Sequence, residues 1–162
     1  MTDISLSLCS YIANSKVYDY RIGIKESENI KSRCINFAIK QFIPPIDRED
    51  ITYIALKLHG LNLKLCQLAD YKKSFFPKKD LKKELMPLKN VCTKIREVFE
   101  NNIAKPDYTT YIPNISEPQA PENRYSALHI IYEYKLYELV ETCTDKASDL
   151  NDYLIRTVIK NT

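Results

Sequence analysis

Carboxylates are the residues of this sequence best placed to do chemistry. Glu138, Glu141, Asp145 and Asp149 follow one another at spacings of three and four along an apolar-periodic segment, and Asp152 continues the row. Residues at i and i+4 share one helix face, so Glu141 and Asp145 can turn their oxygens toward a single hard cation. Without a cation such a row repels itself along its length. Lys135, Lys146 and Arg156 offer partial compensation, as on a solvated acidic face. A second charged group is Asp47-Arg48-Glu49-Asp50. Asp47 suits an N-cap, Glu49 and Asp50 place negative charge on the positive end of a helix, and Arg48 can pair with a carboxylate or a phosphate.

Other reactive side chains form no recognisable set. His59 and His129 are the only histidines, and neither stands in a nucleophile–base motif, so enzymatic activity is not expected. Cys9, Cys34, Cys66, Cys92 and Cys143 are too widely spaced for a zinc knuckle or a Cys-x-x-Cys pair. Four of them sit in apolar-periodic stretches, where a free thiol behaves as a small hydrophobe, so reduced core cysteines are expected. The lysine pairs 72–73, 78–79 and 82–83 read as a solvated loop and a first helical turn. With a net charge of only +3 and the two signs interspersed, no nucleic-acid partner is expected.

The elements that must position these residues are long helices. The 162 residues contain two glycines, Gly23 and Gly60, which argues against hairpins, a Rossmann turn or a P-loop. Helices are expected over 3–19 and 22–41, the latter burying Ile30, Cys34, Phe37 and Ala38. Pro44 and Pro45 end that segment. From Asp47 to about Asp70 the row Ile51, Ile54, Leu58, Leu61, Leu65, Leu68 keeps 3/4 spacing, the clearest period in the chain. Asp80 can cap a helix over 81–103 whose inner face is Leu81, Leu85, Leu88, Cys92, Ile95 and Phe99, with Pro87 set to kink or break it. Residues 105–123 carry four prolines and no period, and read as a long crossover within one domain spanning 1–162. A last helix is expected over 125–160, burying Leu128, Ile131, Leu136, Leu139, Cys143, Ala147, Leu150, Leu154 and Val158. The first residues lack a basic region followed by an apolar run, and no stretch approaches ~18 apolar residues, so a cytoplasmic location is expected.

Two segments carry a resemblance. Phe42-Ile-Pro-Pro-Ile-Asp-Arg-Glu-Asp-Ile51 resembles the Phe-Ile-Thr-Pro-Phe/Ile-Asp-Arg-Glu-Asp-Ile signature of the PhoU-like family. Leu136 to Asn161, closing on Val-Ile-Lys-Asn, resembles that family's C-terminal helix. The likeness spans 26–104 and 125–162. It implies a pair of three-helix bundles, acidic motifs that bind metal, and a role as an accessory regulator of inorganic phosphate transport; for this shortened chain an all-α, antiparallel bundle of about four to five helices is expected. On this resemblance a divalent metal ion is expected on Glu138, Glu141, Asp145 and Asp149. The expected partners are a phosphate permease at the membrane and further copies of the chain. One departure matters: where the family carries Leu-Asp-Asp-Ile-x-Asp, this sequence reads Leu58-His59-Gly60-Leu61-Asn62-Leu63. The alternative expectation is therefore a metal-free helical interaction module that kept the bundle and lost the site.

Overall fold

The computed structural model describes residues 1–14, 20–40, 47–100 and 127–161. Five α-helices form there: α1 (Thr2–Asn14), α2 (Tyr20–Lys40), α3 (Arg48–Phe75), α4 (Lys82–Glu100) and α5 (Ala127–Asn161). No strand occurs among the described residues. The all-α bundle expected from the periodicity is the fold found. No helix among the described residues is long and apolar enough to cross a membrane.

Helix directions follow from side-chain contacts. Near the end of α3, the Tyr71 hydroxyl donates to the Tyr132 carbonyl early in α5, at 3.1 Å. At the opposite end, the Tyr153 hydroxyl of α5 donates to Asp50 at the start of α3, at 2.6 Å. These two helices are therefore antiparallel. α1 runs parallel to α3, with Met1 beside Ile54 and Leu58, Ser5 bonded to Asn62, and Ile12 beside Ala69. α4 opposes α1, joined by an Arg96–Asp3 ion pair of 3.3 Å. α4 also runs parallel to α5, because Lys79 just before it pairs with Glu133 while Ile95 packs on Leu150 and Leu154.

Among the described residues the backbones of α3 and α4 do not approach each other, so the two helices sit diagonally in a ring α1–α3–α5–α4. This is an up-up-down-down four-helix arrangement. α2 lies outside the ring, antiparallel to α3, with Ser27 against Asn62 and Cys34 near Ile51. The crossover expected at 105–123 lies outside the described residues, as do Phe42 to Ile46 and the side chains of Phe99 and Val158.

The seam on α3 is borne out from Ile54 onward: Ile54, Leu58, Leu61, Leu65 and Leu68 are all buried, while Ile51 at the start of the row is half-buried. α3 continues five residues past Asp70, to Phe75, before Pro77 stops it. Asp80 does cap α4, accepting from the Lys82 amide at 2.9 Å. Pro87 does not break α4, which runs as one helix from Lys82 to Glu100.

Three expectations about burial need correction. Phe37 is exposed; α2 instead turns Gly23, Ser27 and Ala38 inward, small residues that let it lie close on α3. Leu128 and Ile131 are also exposed. The cause is length: α5 extends about 52 Å against about 28 Å for its parallel neighbour α4, so its first turns outrun their cover. Finally, the lysine run is not uniformly solvated. Lys72 is buried, and Lys79 pairs with Glu133 beneath the faces of Phe76 and Tyr137.

Candidate functional site

The acidic signature at the start of α3 docks on the end of α5. Asp47 stands at the N-cap position, yet its carboxylate makes no capping hydrogen bond and pairs with Lys160 instead. The expected capping role is thus replaced by a tie between helices. Asp50 is buried. Its Oδ1 accepts from Tyr153, while its Oδ2 lacks a hydrogen bond and lies 3.7 Å from the Lys160 ammonium. The Tyr153 ring packs on Tyr53 with centroids 4.1 Å apart. The hydrogen bond to Asp50, followed by burial, pushes the Tyr153 hydroxyl up to about 12. Asp47 and Asp50 together hold Lys160 protonated, above its ordinary value. Arg48 and Glu49 stay exposed on the first turn.

The acidic row on α5 faces outward. Glu138, Glu141, Asp145 and Asp149 are all exposed, because Val140, Cys143, Ala147 and Leu150 take the inner face. Glu138 accepts from Lys135 at 2.9 Å through both oxygens. No group of three or more His, Cys, Asp or Glu among the described residues is arranged to hold a metal ion.

A third cluster was not anticipated. It crosses α1, α3 and α2 and includes His59, which stands at one of the positions where the resemblance leads one to expect a carboxylate. Ser5 donates to Asn62 Oδ1 at 2.6 Å, and the Asn62 amide donates to Ser27 Oγ at 3.0 Å. Ser27 Oγ lies 3.1 Å from His59 Nδ1, and His59 Nε2 lies 2.8 Å from Glu28 Oε2. Glu28 is held in turn by Lys31 at 2.6 Å.

The direction of each bond can be assigned. A carboxylate only accepts, so His59 carries its proton on Nε2, and Nδ1 accepts from the Ser27 hydroxyl. Ser27 then accepts from Asn62, and every member is satisfied. Ser5, Ser27 and Asn62 are fully buried. The Ser27–His59–Glu28 order is that of a nucleophile, base and orienting acid, but Ser27 meets no solvent and therefore no substrate. Its chemistry is cohesive. The sequence signal for this cluster was the polar Asn62 next to the apolar seam, paired with Ser27 on the small-residue face of α2.

Four of the five cysteines are the core residues expected. Cys9, Cys66, Cys92 and Cys143 are buried and free, and Cys34 is half-buried. A hydrogen bond with Cys92, together with burial, raises the Cys9 thiol well above the ordinary range. Burial pushes Cys66 up to about 11 and Cys143 up to about 12. Such thiols are poor nucleophiles and poor metal ligands.

No family model, curated protein or solved structure matches the chain.

Proposed function

We propose that this chain is a non-enzymatic helical accessory protein that regulates inorganic phosphate transport by binding a phosphate permease on the cytoplasmic side of the membrane. One observation carries the reading. The two segments that resemble the PhoU-like family are far apart in sequence, yet they meet at a single contact, Asp47 and Asp50 against Tyr153 and Lys160. Two likenesses that converge on one packed joint support a shared structural unit rather than two coincidences of composition. In this reading the exposed face of α5, with Glu138, Glu141, Asp145 and Asp149, is where a divalent metal would bind, and self-association would draw on exposed apolar side chains such as Leu56 and Leu63.

Labelled phosphate uptake should be measured in cells of the source organism with the chain present, deleted and restored. Uptake that changes on deletion and returns on restoration is expected; unchanged uptake in all three removes the proposal. Metal is tested separately, by elemental analysis of protein purified without chelator and of Asp145→Ala. About one ion per chain in the first and less in the second is expected for a carboxylate-bound cation.

The alternative, a metal-free interaction module, is favoured by the neutral network of Ser5, Asn62, Ser27 and His59. These positions are satisfied by one another and require no ion. Sub-stoichiometric metal in both protein samples would select it.

A further inference from the structure

α2 is the helix with the weakest apolar hold on the molecule. Ala38 is its only fully buried hydrophobic residue among those described, whereas α1 contributes Ile4, Leu8, Cys9 and Ile12 to the core from fewer residues. The rest of its inner face is Gly23 and the polar Ser27, with Ile24, Ile30, Cys34 and Ile35 only half-buried. Its attachment to α3 therefore depends heavily on the bonds that Ser27 and Glu28 make to Asn62 and His59. An element with little buried apolar area opens at lower free energy than the core.

The bond pattern needs a neutral ring. With Nε2–H turned to Glu28, Nδ1 must accept from Ser27. A second proton on Nδ1 turns that acceptor into a donor. The Ser27 oxygen then faces two donors, His59 and the Asn62 amide, and its own hydrogen loses its acceptor within the network. That rearrangement occurs where Ser27 and Asn62 are fully buried, so the displaced group has no water to turn to.

We propose that α2 is a pH-operated clasp: protonation of His59 breaks the Ser27–His59 bond and releases α2 from α3, uncovering the face that includes Ala55, Leu58 and Asn62.

The charged groups acting on His59 both come from α2. Glu28 favours the charged ring and Lys31 opposes it; α1 contributes only the neutral Ser5. Burial is the largest influence and, with Lys31, sets His59 below its ordinary value despite Glu28. Glu28 is itself lowered, chiefly by its bond to Lys31, so it stays ionised while the ring titrates. The sign follows. The docked state binds fewer protons than the undocked one, so docking is at full strength above the ordinary histidine value of about 6.5. It weakens as pH falls from there toward the lowered value.

Hydrogen exchange of the intact chain, read by mass spectrometry near pH 7.5 and near pH 5.5 and corrected for intrinsic rates, tests this. Opening of α2 relative to α3 and α5 should rise by about threefold or more at the lower pH, and His59→Gln should flatten that rise. An α2 whose relative opening is the same at both pH values overturns the proposal. So does a rise that persists unchanged in His59→Gln. Should that variant not fold, nuclear magnetic resonance titration of the His59 ring in the unaltered protein decides. A ring midpoint below about 6.5 that coincides with the onset of α2 opening supports the clasp, and a midpoint at or above it overturns it.

Discussion

The Asp50–Tyr153 bond links the beginning of one long helix to the end of another, and it is charge-assisted. Tyr153→Phe removes the donor and leaves both Asp50 oxygens without a hydrogen bond in a buried site. We expect a loss of about 1.5–3 kcal/mol, measured as a lower urea midpoint at unchanged slope. Lys160→Met, at a side chain that is 60% exposed, should move that midpoint far less. The same bond gives an alkaline signature. Because Tyr153 is raised to about 12 in the folded chain, the stabilisation it provides is complete below the ordinary tyrosine value of about 10. It is lost as pH rises from there toward 12, so absorbance titration should show a tyrosine that ionises late and together with unfolding. The sequence pointed to Asp47 and Asp50 as important but assigned them the wrong partner. Capping is local and can be read from spacing; a tie to Lys160 depends on tertiary placement that no local pattern encodes.

Elements were more legible than sites. The α3 seam could be read because burial on several sides demands apolar residues at every inward position, and the period records it. Leu61→Ala, at a fully buried position, should cost about 2–5 kcal/mol, while Leu63→Ala, at one that is 39% exposed, should stay within about 0.5 kcal/mol. Paired urea titrations distinguish the two. α2 was harder to read because its inner face is made of small and polar residues, so the apolar signal pointed to Phe37, which faces out. α5 misled at its start for a different reason: Leu128 and Ile131 keep the helical period beyond the point where other helices cover it. α4 poses a choice that periodicity cannot settle. Pro87 lacks the amide that would bond the Lys83 carbonyl, yet the helix continues through it. Pro87→Ala supplies that donor, and we expect a gain of about 1–3 kcal/mol by the same urea measurement.

At the scale of the molecule, the ring α1–α3–α5–α4 and the outlying α2 should differ in how they open. Each ring helix contributes one cysteine to the core, Cys9, Cys66, Cys92 and Cys143, and all four belong to one continuous apolar cluster. A ring helix cannot expose its thiol without separating from two neighbours, so these four should share an opening close to global unfolding. For a domain of this size that costs on the order of 5–15 kcal/mol. Cys34 lies on α2, which is fastened by a few polar bonds and little apolar area, and it is already half-buried rather than buried. Pulsed alkylation of the native chain, followed by peptide mass spectrometry, should therefore modify Cys34 first and the other four together, much more slowly. Labelling of any ring cysteine at the rate of Cys34 would show that its helix opens alone. Buried thiols alone would make the four slow but would not make them equal, since Cys66 and Cys143 sit on different helices in different surroundings. Equal rates would mean the ring opens as one unit, leaving α2 as the part of the molecule free to move on its own.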